Sequence, residues 1–563
     1  MCGIFGGVGA TTDEAYKCLQ NIRRGNDGIT VRQYGDVVLG SRRHLVKESH
    51  KASVKTGESD QPYVSANGKA RLVFNGELFN FAEIREDLLK EGAQFQSDGD
   101  TEVLLRLYEH LGKDFVKHRK MDAMFAFGIH DEGSSELIVA RDWPGRLPLF
   151  YYYNKENKIF LFSSELKGFR PLGWLPLGDP IELTPGHRMV LDLKSFELKI
   201  EAYYQPVPRK ADLPLWEVGG ELHRLLKQSA KNRTMGDVPI CTMLSGGIDS
   251  LMTTYYVLSS IDFNQVGYRP TSYVFAIEDY ESEDVRRARI AAEGFKEIGL
   301  TLHEVRATRA QVVEDLPDIV DMFEMRKIKA LSVYPLPIYY YLAPRMRDDG
   351  FKVTIGGHGV DELLGAYDAW KELKAPHHVQ TQPRSRLLFM SMIYENMLRR
   401  ASIIFMNRGP IEARFPFLQP AVCEFALGID TKWLGMDAAN AERMLQLMDA
   451  KAGPQGTWKT ETIEVHDYLV RYLDNGGNHP EGTSEETITE IEKLFWKFPL
   501  IVAGMHACDE SYLPFHCLMF PKLRGQHGSG LTSLEPLVVK RYANLGSTDQ
   551  DVFKQFVHQS FGC

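Results

Sequence analysis

The sequence predicts a two-domain α/β protein: an antiparallel, layered domain over 1–205, a parallel-sheet α/β domain over 215–470, and a helical extension over 471–563. Three observations predict it. β-branched and aromatic runs bounded by Gly, Asn or Asp crowd the first part of the chain. Gln205 to Pro214 then places three prolines among charges, a linker composition. Beyond the linker, strand-like and helix-like stretches alternate, which is the pattern that parallel strands with helical crossovers require.

Each element has its own justification. Val37-Val38-Leu39, Ala70 to Phe74, Leu137 to Ala140 and Ile159 to Phe162 read as strands. Leu78 to Gly92 and Asp100 to Leu111 carry apolar residues at helical spacing. Past the linker, Val218, Leu222, Leu225, Leu226 and Ala230 share one helical face. Ile240 to Leu244 follows as a buried-type strand, then a Gly-rich turn and another helix. Ser272 to Ile277 and Lys352 to Ile355 read as further strands. The loop Asp474 to Pro480 precedes an amphipathic helix carrying Ile488, Ile491, Leu494 and Phe495.

At 563 residues the chain is long for one core. Its 66 Lys and Arg against 75 Asp and Glu leave a net charge of −9, which argues against a nucleic-acid or membrane-surface binder. Seven cysteines, scattered and without CxxC pairs, read as reduced thiols rather than a disulfide framework. No apolar run approaches the ~20 residues of a membrane span, and the start lacks the basic flank of a signal peptide. A cytoplasmic protein acting on small molecules is expected.

The chain opens Met1-Cys-Gly-Ile-Phe-Gly-Gly7. An initiator Met before a small residue is usually trimmed, and Cys2 would then carry both a thiol and a free α-amine. An α-amine titrates at about 7.7–8.0, near enough to neutrality to act as a general base toward the thiol beside it. Asn75-Gly76-Glu77 ends the strand at Phe74, where a side-chain NH₂ and a backbone N–H would face an oxyanion. Arg43 suits a substrate α-carboxylate and Asp100 an α-ammonium. Together they fit a free amino acid whose side-chain amide reaches Cys2.

These motifs resemble a class II glutamine amidotransferase domain. Arg24-Gly-Asn-Asp27, Asn75 to Asn80, Asp100 to Val103, Met124 to Phe127, Arg141 to Gly145 and Ser164-Glu165 recur in that family's order. The resemblance implies the four-layer αββα fold of N-terminal-nucleophile (Ntn) hydrolases. It implies Cys2 as nucleophile, Asn75 and Gly76 as the oxyanion hole, and Arg43, Glu77 and Asp100 as the glutamine-binding residues. Two departures stand out: Asn26 replaces a proline, and His44-Leu-Val-Lys47 replaces a more apolar run.

Leu244-Ser-Gly-Gly-Ile-Asp-Ser250 joins a strand to a helix, where glycines admit phosphates and the helix start favours anions. The GK[ST] ending of a Walker A loop is absent. Gly356-Gly-His-Gly-Val-Asp-Glu362 makes a second glycine-rich turn with acidic residues, and Glu412 to Leu418 reads EARFPFL. In order, these resemble the PP-loop synthetase domain of the glutamine-hydrolysing asparagine synthetase family. The resemblance implies Leu244, Ser245, Gly246, Gly247, Asp249, Ser250, Phe275, Gly356 and Gly357 at ATP, with Asp249 and Asp361 on Mg²⁺. It also implies aspartate as the acceptor, an acyl-AMP intermediate and a homodimer.

Departures are sharper here. His358 stands where the family has the glutamate that assists ammonia, and Gln419 where it has aspartate. A neutral imidazole can still accept a proton near pH 7. The family's late lysine has Lys459 as its candidate counterpart. These differences motivate an alternative, amidation of a different carboxylate. His506, Cys508, His516 and Cys517 lie close in sequence, but their spacing fits no usual zinc pattern.

Overall fold

The structure, a computed structural model, describes residues 1–46, 61–118, 121–173, 180–280, 282–325, 328–366, 381–451, 459–510, 512–520 and 529–561. Lys47, Cys563, and Thr457 and Trp458 beside Lys459, lie outside the described residues.

Two six-stranded antiparallel sheets stack face to face. The first runs Ile181–Glu182, Phe150–Asn154, Ile159–Ser163, Gly3–Val8, Val37–Arg42, Ile29–Tyr34. The second runs Leu198–Ala202, His187–Asp192, Glu136–Arg141, Ala123–Asp131, Ala70–Leu78, Tyr63–Val64. Successive side chains point to opposite faces. Ile4, Leu39, Val73, Met124 and Ala126 therefore meet between the sheets. Phe5 and Val38 turn outward onto the helix Thr12–Asn21, while Leu72, Phe74 and Phe127 meet the helices Phe81–Lys90 and Asp100–Leu111. Burial on both faces explains why these strands read as continuous apolar runs rather than alternating ones. The expected αββα layering is the one found.

The second half is built on five parallel strands in the order Thr301–Ala307, Thr271–Ile277, Ile240–Met243, Val353–Ile355, Glu412–Arg414. The strand Ile240–Met243 lies in the middle, between Thr271–Ile277 and Val353–Ile355. Both glycine-rich turns leave the carboxyl ends of adjacent strands, the position where open α/β sheets bind ligands.

The proline-rich stretch 205–214 is strapped down. Arg209 N–H donates to Glu424 O at 2.8 Å, and Ala211 bridges to Ile429. The C-terminal stretch is helical, and its helix Phe498–Glu510 packs along Leu215–Arg233. The two halves are joined by buried charge: the Arg233 guanidinium donates to both Asp122 oxygens at 2.7 Å. Removing one partner from such a pair typically costs about 3–5 kcal/mol. No helix among the described residues is long and apolar enough to cross a membrane.

Candidate active sites

The first site forms where the strand Gly3–Val8 begins and Ala70–Leu78 ends. A cavity of about 50 Å³ brings together Cys2, Arg43, Gly76, Glu77 and Asp100, with Met1 in its wall. Asn75 is fully buried, and neither its amide nitrogen nor its amide oxygen has a hydrogen-bond partner among the described residues. An orphaned buried amide is costly in a core and useful where an oxyanion must be met. Gly76 is required sterically: a Cβ there would sit 2.1 Å from Met124 O. Asp100 opens its helix and accepts from Leu78 N–H at 2.9 Å, so helix and strand fix its carboxylate together.

Other residues of the first set of motifs serve the scaffold. Glu165 receives Arg24 Nε at 2.8 Å and Arg23 N–H at 3.0 Å. Ser164 Oγ accepts from Ile4 N–H at 2.9 Å, pinning the strand that follows Cys2. Asp27 accepts from Leu45 N–H at 2.7 Å, holding the loop that carries Arg43.

Met1 is buried, and its ammonium meets Glu412 at 2.8 Å across the junction between the two halves. Arg414 Nε donates to the other oxygen of Glu412 at 2.8 Å, and Glu77 lies 3.9 Å from the same guanidinium. Burial alone would push the Glu412 carboxyl up. The ammonium and Arg414 outweigh it and hold it at about 2. Glu77 is pushed well above the usual carboxylate range by burial, then by Glu412 and Asp100. His44 is held far below its ordinary value by burial and then by the Met1 ammonium, so it is neutral. EARFPFL carried no role for Glu412 in the sequence; its partner lies at the other end of the chain.

At the second site, Gly246 has φ +75° and packs where a Cβ would stand 2.4 Å from Arg287 C, so only glycine fits. Gly247 caps the helix Ile248–Ser259. Ser250 Oγ donates to Gly247 O at 2.9 Å and accepts from Ser245 N–H at 3.1 Å, closing the turn. Leu244 N–H donates to Tyr273 O at 3.0 Å. Gly357 packs against Asp249, where a Cβ would be 2.7 Å from its carbonyl oxygen. That close approach draws the two turns together. Phe275 is buried in its strand, stacked on Tyr341 at 5.6 Å.

Asp249 and Asp361 share one cation, the Lys497 ammonium, at 2.6 and 2.8 Å from the Asp249 oxygens and 2.7 Å from Asp361. Burial would lower the Lys497 pKa, but the two carboxylates raise it above the usual lysine range. Two carboxylates turned toward one cation are oxygen donors of the kind Mg²⁺ takes. Lys459 is exposed, at the N-cap of Thr460–Asp474. The lysine at the carboxylates is Lys497, from the helical extension over 471–563, whose role the sequence left open. Its signal was a single charge inside the apolar run Leu494 to Ala503.

His358 Nε2 lies 2.8 Å from Tyr339 Oη. Burial and then the Arg400 guanidinium push His358 down to about 4. Arg400 comes from a helix whose Tyr394–Leu398 and Arg400–Ile404 turns are π-wound, a departure that commonly re-aims side chains at functional sites. One strand touches both sites: Glu412 meets Met1, and Arg414 O accepts from Gly356 N–H at 3.0 Å. A cleft of about 580 Å³ beside Lys227 and Glu510 contains none of these residues. His506 Nε2 lies 2.9 Å from Trp216 O, and Cys508 donates to Leu513 O.

The fold and the two catalytic domains define an enzyme of the glutamine-hydrolysing, ATP-dependent amidotransferase–synthetase class, with ligase-type activity. Residues 1–177 match the glutamine amidotransferase domain family, and 221–383 the asparagine synthase family, whose domain implies nucleotide binding. Relatives with this two-domain architecture carry the name asparagine synthetase. The chain is 26% identical over 451 residues to a probable glutamine-hydrolysing asparagine synthetase of Dictyostelium discoideum, covering 76% of each chain. It is 26% identical to an asparagine synthetase of Asparagus officinalis (79% of this chain, 72% of that one). Against asparagine synthetase B of Escherichia coli it is 25% identical (76% and 75%).

Proposed function

We propose that the chain makes asparagine from aspartate, with glutamine as nitrogen donor. Once Met1 is trimmed, the Cys2 amine takes the thiol proton and the thiolate attacks the glutamine amide carbon. Asn75 and Gly76 meet the oxyanion, ammonia leaves, and water frees the thioester. Arg43 binds the glutamine α-carboxylate and Asp100 its α-ammonium. Removing Met1 also enlarges the cavity of about 50 Å³ whose wall it forms.

Ammonia crosses toward the parallel sheet through the space that the Met1 side chain fills, an apolar cluster that includes Met406. At the second site the 244–250 turn binds ATP, and the aspartate carboxylate displaces pyrophosphate to become an acyl-AMP. Ammonia then displaces AMP. Asp249 and Asp361 would hold Mg²⁺, which would supply positive charge to the phosphates, and Lys497 turns from the carboxylates to the phosphates. The observation that carries this reading is the strand Glu412–Arg414, one end on the chain start and the other on the second glycine-rich turn.

Aspartate-dependent ATP–pyrophosphate exchange tests the reading, followed by conversion of labelled aspartate with glutamine. AMP, pyrophosphate, glutamate and asparagine are expected in equal amounts. Exchange driven only by another carboxylate would replace aspartate as acceptor. The neutral His358 beside Arg400 favours that second reading, since it stands where the resembled family carries a glutamate.

A further inference from the structure

The chain start is held by a residue from the other half of the molecule. Glu412 belongs to the parallel sheet, yet its fully buried side chain meets the beginning of the antiparallel domain. Its two oxygens have separate partners: Oε1 accepts from Arg414 Nε at 2.8 Å, and Oε2 from the Met1 ammonium at 2.8 Å. Arg414 is also anchored on Arg233 O at 2.7 Å and on Met235 O, so its place does not depend on Met1.

The other ionisable groups facing Glu412 are Glu77, from the strand Ala70–Leu78, and His44, from the loop after Val37–Arg42, with Lys352 beside it. Arg43, Glu77 and Asp100 line the cavity with Cys2. Glu77 is raised by burial and by Glu412 itself, so Glu412 is the ionised member of the two. Trimming Met1 removes the donor on Oε2 and leaves that oxygen buried. A buried carboxylate oxygen without a donor is costly. The new α-amine, on Cys2, lies one residue back, and one residue spans at most about 3.6 Å. Rotation of the glutamate side chain or one bridging water covers that distance.

We propose that Glu412 is a positioning residue for glutamine hydrolysis: freed from Met1, its carboxylate holds the Cys2 α-amine beside the thiol and stabilises the ammonium formed when that amine takes the thiol proton. This rests on the proposed glutamine-cleaving role of Cys2. In that step the S–H bond breaks and its proton passes to the amine nitrogen. The sulfur electron pair forms the bond to the amide carbon, and the C=O pair moves onto the oxygen facing Asn75 and Gly76. The ammonium later gives its proton to the departing amide nitrogen. Thiol, amine and carboxylate then stand as nucleophile, base and orienting acid, as in hydrolytic triads. The third member comes from the synthetase half, so the first site is incomplete without the second domain.

The test uses the full chain with Met1 removed, verified by intact mass, and compares Glu412→Gln, Glu412→Asp and His44→Gln with wild type. Glutamine hydrolysis is followed as kcat and KM across pH. Alkylation of Cys2 by iodoacetamide, read on the N-terminal peptide, needs no substrate. ATP–pyrophosphate exchange, read in parallel, reports whether each variant is folded. A carboxylate raises the pKa of the amine it faces and makes it a stronger base. Glu412→Gln is therefore expected to lower kcat about tenfold and to move the acid limb of kcat/KM down by about one pH unit. KM should stay within about twofold, because Arg43 and Asp100 still hold glutamine, and alkylation should slow with kcat.

Glu412→Asp keeps the charge on a shorter arm, so its rate should fall while its limb stays at the wild-type position. His44→Gln removes the other group that can titrate beside Glu412 and should leave the limb in place. An unmoved limb in Glu412→Gln would make Glu412 a packing residue and overturn the proposal, as would a limb that follows His44→Gln. Should Glu412→Gln not fold, a displaced limb in Glu412→Asp overturns it and a retained one supports it. If trimmed wild type hydrolyses glutamine no faster than Cys2→Ala, the role of Cys2 falls and the proposal with it.

Discussion

Each candidate site holds one of the chain's own ammonium groups. Met1 places its α-ammonium on Glu412, and Lys497 places its ε-ammonium between Asp249 and Asp361. Both are buried, and both are stable there because carboxylates answer them. In the proposed mechanism they differ in how they leave. Met1 leaves only by peptide-bond cleavage, once, whereas Lys497 leaves by rotating side-chain bonds and returns in each cycle. On that reading the first site is armed irreversibly and the second is exchanged reversibly.

Removing the armed group itself should show the largest effect. Cys2→Ala is expected to lower glutamine-driven amide formation at least about 10³-fold, as loss of a nucleophile does in other acyl-transfer enzymes. Ammonia-driven formation should persist, because the second site does not use Cys2. Material that retains Met1, verified by intact mass, should lose roughly 10²–10⁴-fold in glutamine hydrolysis, the range of a general base. If Met1-bearing material hydrolyses glutamine as fast as trimmed material, the irreversible half of the comparison falls.

Lys497→Met tests the reversible half. It should lower ATP–pyrophosphate exchange about 10²-fold through lost electrostatic stabilisation, with glutamine hydrolysis nearly unchanged. It also leaves two carboxylates facing each other. Thermal denaturation without Mg²⁺ should then show a loss of about 1–3 kcal/mol, and added Mg²⁺ should recover it by binding the folded form. Exchange at the wild-type rate would reduce Lys497 to a resting counter-ion.

The two sites also differ in how far the sequence disclosed them. Cys2, Asn75, Gly76 and Asp100 lie on or beside strands and a helix start that local pattern predicts. The helix Asp100–Leu111 was read with its observed bounds, while the one read from Leu78 begins at Phe81 because Leu78 completes the strand. The glycine-rich turns were legible for the same local reason. Lys497 was not, because it lies 248 positions from Asp249 and only packing of the C-terminal helices against Leu215–Arg233 carries it there. Glu412 was visible as part of a motif, but its meeting with Met1 spans 411 positions. Local pattern reports what a residue can do, and long-range packing decides which charge answers it.

The smallest effect is expected in acid. Glu412 is depressed to about 2 in the folded chain, against about 4.3 for an unperturbed glutamate. A depressed carboxyl contributes stability that is present above the unfolded value and lost as pH falls through the folded one. The Met1–Glu412 contact should therefore weaken between about pH 4.3 and 2. Glu77 opposes this: burial, Glu412 and Asp100 raise its value, so it favours the folded state as it takes up a proton. Trimming Met1 moves the terminal ammonium back by one residue, to Cys2, which weakens the strongest cation acting on Glu412, lets its value rise and lessens the acid loss. Acid titration of the melting temperature should thus fall more steeply for Met1-bearing than for trimmed protein. Glu412→Gln should erase that difference, and identical slopes in the two unaltered forms would show that Glu412 does not hold the chain start.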